Sequence, residues 1–125
     1  MPPTPGQQAR VEQIAAEITA ILAAAPYSLP GTFATRMAPC GHVGCRCHAD
    51  PPQLHGPYRQ WTRKHDAKTV TRILGHDQAA DYEPWFSNHK RIRHLLTELE
   101  QISIDITEND PRRNRRRRRR TRKTP

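Results

Sequence analysis

The feature that most constrains this chain is a cluster of cysteines and histidines in the stretch CGHVGCRCHADPPQLHGPY, residues 40–58. The stretch contains all three cysteines of the sequence, Cys40, Cys45 and Cys47, and three of its seven histidines. Three thiols within eight residues, in a chain with no other cysteine, favour shared ligation over a disulfide framework, which uses cysteines in pairs. The cluster therefore predicts a metal site.

The spacing within the cluster suggests which side chains would hold the ion. A structural zinc site takes four nitrogen or sulfur ligands in a tetrahedron, and three thiolates with one imidazole are a common set. His48 follows a cysteine directly and His42 lies inside a tight loop, whereas His55 has enough chain to turn back to the ion. We predict a structural zinc bound by Cys40, Cys45, Cys47 and His55, with His42 and His48 as alternatives for the fourth ligand.

The sequence is also compatible with other uses of the cluster. An iron–sulfur centre or free loop thiols would also fit the composition, and a cysteine nucleophile with a histidine base is conceivable. Asp50 is the only carboxylate between Arg36 and Lys64, however, and acid–base chemistry would need such a group nearby. We therefore expect no enzymatic activity.

The remaining pattern predicts an α+β fold. Apolar residues recur at helical spacing from Gln8 to Ala25, where Pro26 ends the helix. Residues 32–37, 58–64 and 68–74 show strand alternation or β-branched and aromatic enrichment, which predicts a small antiparallel sheet of about three strands. The zinc-binding loop is inserted between the first two strands, and HDA at 65–67 connects a hairpin.

A long C-terminal helix is predicted from Gly75 to about Ile106 by an apolar stripe close to heptad spacing, as in a coiled coil. Pro84 lies inside it, so we expect either a kink or a short helix ending near Tyr82 followed by a long one. The two helices of the chain could pair as an antiparallel hairpin, or the 85–106 helix could form a homodimer.

Composition sets the domain limits. Only 34% of the residues are hydrophobic, so the core is small and a metal would help to stabilise it. We predict disorder at 1–7, one zinc-stabilised domain at 8–108, and a disordered Arg-rich tail at 109–125. The chain begins with no signal peptide pattern and contains no stretch long enough to cross a membrane. We therefore expect a bacterial protein of the cytoplasm, where association with the nucleoid is open to it.

Charge is concentrated at the end of the sequence. Of the 21 Lys and Arg residues, ten lie in residues 111–125, while all 12 acidic residues precede them, so the body carries −1 and the tail +10. Such a tail binds polyanions without sequence preference. The tail residues predicted to contact nucleic acid are Arg112, Arg113, Arg115, Arg116, Arg117, Arg118, Arg119, Arg120, Arg122 and Lys123.

The hairpin is also basic, with Asp66 as its single acidic residue. A two-stranded ribbon can enter the major groove of DNA, and aromatic side chains between arginines can stack on bases. The predicted contacts are Arg59, Trp61, Arg63, Lys64, Lys68 and Arg72. These residues could also form an ordinary solvated face, with the aromatics packed on the helices.

Two functions follow from these patterns. The first is a nucleic-acid-binding accessory or regulatory protein, with DNA favoured over RNA, in which zinc stabilises the fold. The second is a protein–protein adaptor whose leucine- and isoleucine-rich helix is the working surface.

The combined motifs resemble a family of small uncharacterised bacterial and archaeal proteins. The shared pattern is Leu-Pro-Gly, Cys-Gly-x-x-x-Cys-x-Cys and His-Gly-Pro-Tyr, which matches residues 29–31, 40–47 and 55–58. The similarity extends over roughly residues 29–100. It implies the Cys/His site and a domain of that extent, and it supplies no reaction, because the family has no established activity.

Overall fold

The computed structural model describes the backbone of residues 3–114 and the side chains of residues 3–112. Helix α1 spans Pro5–Ala24 and is followed by strand β1, Thr32–Ala38. A short 3-10 helix at Arg46–His48 precedes β2, His55–His65, and β3, Lys68–Leu74. Helix α2 spans His76–Glu108 and is followed by a 3-10 helix at Pro111–Asn114. This element order confirms the predicted α+β fold.

In the described part of the chain, the strands form one antiparallel sheet in the order β1-β2-β3. Thr32 pairs with Thr62 and Ala38 pairs with His55, with an irregularity between Arg36 and Ala38. β2 continues past the start of β1, so its last residues pair with β3 alone. The sheet therefore ends in a two-stranded ribbon on one side and in the Cys/His loop on the other.

The hairpin turn between β2 and β3 is formed without glycine. Asp66 and Ala67 occupy the two turn positions with φ of 50° and 64°, which corresponds to the left-handed conformation that two-residue hairpin turns require. Asp adopts that conformation more readily than most residues, whereas Ala67 does so at some cost. The hairpin predicted at 65–67 is confirmed.

The chain divides into two compact units, one formed by residues 25–90 and the other by α1 together with α2 from Arg91 onward. In the first unit, the α2-facing side of the sheet packs through Phe33, Trp61 and Leu74 against Ala79 and Phe86. The Phe33 and Phe86 rings stack with centroids 4.6 Å apart. Full burial of an aromatic or aliphatic side chain of this kind contributes roughly 1.5–3 kcal/mol to the stability of the folded chain.

The second unit is a pair of helices. Ile14, Ile18 and Ile21 of α1 share one face because they are spaced by four and three residues, and they pack against Leu95 and its neighbours Ile92, Leu99 and Ile102. The chain's apolar helical stripes thus meet each other, which is the antiparallel pairing that the sequence allowed. The homodimer through residues 85–106 stays a prediction.

Helix α1 begins at Pro5 rather than at Gln8, so the predicted disorder over residues 1–7 was wrong for its last residues. The Gln7 amide donates to Thr4 Oγ1 (3.1 Å) and the Thr4 amide donates to Gln7 Oε1 (2.9 Å). This reciprocal capping box, with proline at the first helical position, fixes the start of the helix. The corresponding sequence signal is Thr4-Pro5-Gly6-Gln7.

Helix α2 continues through Pro84, so the alternative of two separate helices was wrong. Proline removes one ladder hydrogen bond, but tertiary contacts hold the helix just after Pro84. The buried Asn88 amide donates to the carbonyls of Ala25 (2.8 Å) and Tyr27 (2.9 Å), and the Leu29 amide donates to the Trp85 carbonyl (3.0 Å). These hydrogen bonds connect the segment after α1, residues 25–29, to α2.

The predicted tail lies mostly beyond the described residues. The 3-10 helix at Pro111–Asn114 falls within the segment that was predicted to be disordered, and Arg112 pairs there with Asp110. Residues 115–125, with most of the predicted cationic contacts, lie outside the part of the chain that the structure describes.

Candidate metal centre and basic hairpin

The four predicted zinc ligands come together at one end of the sheet. The ligand atoms of Cys40, Cys45, Cys47 and His55 all lie within 4.8 Å of one another. Cys40 follows β1 by two residues and His55 is the first residue of β2, where it pairs with Ala38. The strand pairing therefore places the histidine beside the cysteine loop. His55 lies in a strand, not in the loop where the sequence placed it.

The 3-10 helix at Arg46–His48 arranges the other two thiols. The Cys45 amide donates to the His42 carbonyl (3.1 Å), and the His48 amide donates to the Cys45 carbonyl (3.0 Å). The Cys40 amide donates to Cys47 Sγ (3.2 Å). These short-range bonds turn the chain through a compact loop that directs the cysteine side chains to a common point.

The distances within this group fit one tetrahedral ion. Cys40 Sγ lies 3.5 Å from Cys47 Sγ, and Cys45 Sγ lies 3.2 Å from His55 Nε2. Ligands about 2.3 Å from a zinc ion are separated by roughly 3.8 Å in a tetrahedron, so a small outward movement would accommodate the ion. All three cysteines are free thiols, with Cys47 buried, and no disulfide competes for them among the described residues.

The electrostatics of the group favour a thiolate at one position. The Cys47 backbone amide, together with His55, lowers the pKa of Cys45 to about 6. Burial raises the pKa of Cys47. A cation at the centre would stabilise the charged form of every thiol, because metals bind cysteine as thiolate.

The two alternative histidines have other surroundings. His48 Nε2 lies 2.8 Å from the Cys40 carbonyl, and His42 is exposed. Neither belongs to the group of converging ligand atoms in the described chain. His48 thus supports the loop backbone, while His55 completes the donor set of three sulfurs and one nitrogen.

The predicted hairpin residues divide into two groups. Lys64, Lys68 and Arg72 are exposed, and Arg63 is half-buried with its guanidinium 5.4 Å from the Trp61 ring centroid. Within the described residues none of the four has a carboxylate partner. Asp66, the single acidic residue of the hairpin, pairs with His65. By the strand register, Arg63, Lys68 and Arg72 share one face of the ribbon and Lys64 lies on the other.

Trp61 and Arg59 are integrated into the packed part of the sheet. The Trp61 indole donates to the Pro30 carbonyl (2.8 Å), and its ring meets Phe86 edge-on at 5.7 Å. The Arg59 guanidinium lies 4.4 Å from the Phe33 ring centroid. Core packing accounts for Trp61 without a nucleic acid, and base stacking by this side chain stays a prediction.

Of the predicted tail contacts, only Arg112 has a described side chain. It makes a fork of hydrogen bonds to the Asp110 carboxylate, with the shortest at 2.7 Å. This pairing holds the pKa of Asp110 well below its usual range. Arg112 is therefore engaged within the chain at the point where the basic tail begins.

The sequence did not predict one further polar pocket, in which Arg59 faces Glu83, Ser87 and Lys90. The spacing of the three α2 residues places them on one face of the helix, but their meeting with Arg59 depends on the packing of the sheet.

Among the described residues, no helix is both long and apolar enough to span a bilayer.

Residues 7–83 match the protein family described as a domain of unknown function, DUF6788, and the chain belongs to this family. The match confirms the predicted relationship to an uncharacterised family; it begins within α1 and ends within α2, whereas the resemblance was placed at residues 29–100. No match was found among curated proteins or among solved structures.

Proposed function

We propose that this member of the family is a nucleic-acid-binding accessory protein whose β-hairpin contacts the phosphate backbone and whose fold is stabilised by a structural zinc ion. The observation that carries the proposal is the β2–β3 ribbon, whose tip extends past the start of β1. It presents Arg63, Lys64, Lys68 and Arg72 without a carboxylate partner in the described chain. Like-charged side chains held this close on a two-stranded ribbon favour a polyanionic ligand.

The ribbon has the geometry for a groove. Three of its cations lie on one face and Lys64 on the other, so a ribbon inserted in the major groove would meet phosphates on both sides. This favours duplex DNA over A-form RNA, whose major groove is narrow and deep. Arg-rich residues 111–125 add affinity without sequence preference, because their contribution is electrostatic.

Zinc is the metal of this proposal because three thiolates and one imidazole form a closed tetrahedral set of the kind found in structural zinc sites. The ion would join the end of β1 to the start of β2, and β2 continues to the hairpin turn. We assign it no catalytic role, since a set with four protein ligands leaves no position for a substrate or a reactive water.

The test separates the hairpin from the tail. A full-length variant in which the ten basic residues of 111–125 are replaced by glutamine has a net charge of −1. We call this variant the tail-neutral protein. We expect it to bind a fluorescent DNA duplex at physiological salt, as measured by anisotropy. In this background, Lys68→Gln/Arg72→Gln should weaken binding and lower the slope of log K against log salt by about 1.8, if each cation meets one phosphate.

The matched control is Arg91→Gln/Arg93→Gln, which removes the same charge from exposed positions on α2. It should leave the affinity of the tail-neutral protein nearly unchanged. The proposal fails if the tail-neutral protein does not bind DNA, or if the two double variants weaken binding equally.

The adaptor function is the second candidate, and one observation favours it. The helical unit has a largely apolar groove of about 410 Å³ lined by Pro3, Gln7, Gln8, Val11, Glu12, Leu99, Ser103 and Ile106. A second copy of the chain is the partner that the sequence suggested. Sedimentation velocity over a range of protein concentrations would detect it, and Val11→Gln should then favour the monomer.

A further inference from the structure

Arg59 occupies an unusual position for a charged side chain. It lies in the middle strand, paired with Thr35 of β1 and Leu74 of β3. Its guanidinium rests over the Phe33 ring, which itself stacks on Phe86. The cation is therefore held on a stack of two aromatic rings, an arrangement that restricts its orientation before any ligand arrives.

The hydrogen-bonding capacity of this side chain is unused. Within the described residues the Arg59 side chain makes no hydrogen bond, and its Nε is buried without a partner. The nearest carboxylate oxygen, Glu83 Oε2, lies 3.8 Å from an Arg59 terminal nitrogen, too far for a hydrogen bond. Burial of Nε without an acceptor costs free energy, and the terminal nitrogens keep their donors available for a ligand.

A polar pocket adjoins the guanidinium. Its volume is about 270 Å³, and Ser87 and Lys90 of α2 line it together with Arg59, Glu83 and the two stacked phenylalanines, Phe33 and Phe86. Neither the Ser87 hydroxyl nor the Lys90 ammonium has a partner in the described chain. Drug-sized ligands occupy pockets of about 300–1,000 Å³, so this pocket suits a single small group.

The charges in the pocket favour an anion. Arg59 and Lys90 contribute two positive charges, and Glu83 opposes them with one. The Glu83 side chain is 63% exposed, whereas that of Arg59 is 32% exposed, so the glutamate can turn into solvent while the guanidinium stays in place. A tetrahedral oxyanion offers separate oxygens to a guanidinium, an ammonium and a hydroxyl.

We propose that this pocket binds one phosphate group, with Arg59 donating from its terminal nitrogens, Lys90 from its ammonium and Ser87 from its hydroxyl. The phosphate has two candidate sources, the backbone of a nucleic acid or a small phosphorylated molecule. The first source rests on the function proposed above, because it makes the pocket an extension of the basic hairpin. The second does not depend on it.

The direct test follows amide and guanidinium resonances of the full-length protein by NMR during titration with inorganic phosphate, at ionic strength held constant with chloride. We expect saturable shifts at Ser87, Lys90 and the Arg59 Nε–H. Lys90→Gln should weaken phosphate binding about tenfold, the usual effect of losing one charge-assisted hydrogen bond. Arg93→Gln, which removes the same charge from an exposed position on α2 outside the pocket, should leave it unchanged.

Glu83→Gln provides a test with the opposite sign. Removal of the competing carboxylate should tighten phosphate binding several-fold, while Glu100→Gln, an equal charge change at an exposed site on α2, should not. Glu83 and Lys90 are both exposed, so these variants retain the fold and their spectra verify it. Absence of saturable shifts, or equal effects of the paired variants, would overturn the proposal.

The two sources are separated in the tail-neutral protein. If duplex DNA shifts the same three residues and competes with phosphate, the pocket receives a backbone phosphate. If phosphate binds but DNA does not, the pocket serves a small phosphorylated ligand and the nucleic-acid function is wrong. If DNA binds through the hairpin while phosphate gives no saturable shift, the function stands and the pocket proposal is wrong.

Discussion

Cys45 Sγ and His55 Nε2 lie 3.2 Å apart, although ten residues separate them in the chain. One belongs to a loop tightened by a 3-10 helix, and the other opens the central strand of the sheet. Their approach depends on the pairing of Ala38 with His55. A metal ion between them would therefore connect the loop to the sheet at the strand that leads to the basic hairpin.

His55→Ala should abolish stoichiometric zinc binding, whereas His48→Ala should retain it. The reason is geometric, since His55 completes the set of four converging donors and His48 contacts the Cys40 carbonyl. Metal content of the purified variants by mass spectrometry distinguishes them. Zinc retained in the His55 variant and lost from the His48 variant would reverse the ligand assignment.

Gly31→Ala should lower the free energy of unfolding by roughly 1–3 kcal/mol, the usual cost of a strained backbone position. Gly31 has φ of +101°, and a Cβ there would collide with the Thr62 carbonyl oxygen and approach the Trp61 Nε1 to 3.0 Å. Chemical denaturation followed by tryptophan fluorescence measures the change, because both tryptophans lie in the same compact unit as Gly31.

Gly41→Ala is the control for that substitution. A Cβ at Gly41 would meet nothing within 4 Å, and no left-handed backbone is required there. Its effect should stay within about 0.5 kcal/mol, as for most surface substitutions. Equal destabilisation by the two variants would show that the conformation of Gly31 is not what the fold requires.

Glu98→Gln should reduce stability at neutral pH, and the difference from the parent should vanish in acid. Arg10 donates from two nitrogens to the Glu98 carboxylate, one of them at 2.7 Å, and this pairing lowers the pKa of Glu98 below its ordinary value of 4.5. The stabilisation is therefore complete above pH 4.5 and is lost as the pH falls through the lower, folded-state pKa.

Thermal unfolding followed by helical circular dichroism, at neutral pH and at several acidic pH values, would test this dependence. Glu100→Gln removes the same charge from an exposed position on α2 and should show no such difference. A deficit for Glu98→Gln that persists unchanged in acid would contradict the ion-pair explanation.

Local sequence patterns were sufficient to predict most of the fold. Alternation and β-branched residues located the three strands to within a few residues, and the apolar helical spacing identified α1 and α2. The cysteine spacing indicated that the three thiols bind a common metal ion, and the limited reach of His42 and His48 favoured His55 as the fourth ligand. These signals are short-range, so they remain visible in a single sequence.

The features that were missed depend on contacts between distant segments. Pro84 remains inside a helix because Asn88 and Trp85 bind the chain near residues 25–29, which no local pattern shows. Arg59 meets Ser87 and Lys90 only after the sheet has packed on α2. The start of α1 at Pro5 could have been predicted from the sequence, because Thr4 and Gln7 have the spacing of a capping box.

The most direct test of the central claim is the mass of the intact, folded full-length protein by native mass spectrometry, after purification without chelators. We predict one zinc ion per chain, and its loss when Cys40, Cys45, Cys47 or His55 is substituted. A folded chain that carries no metal and has three freely titrating thiols would contradict the metal centre and, with it, the proposed organisation of the hairpin.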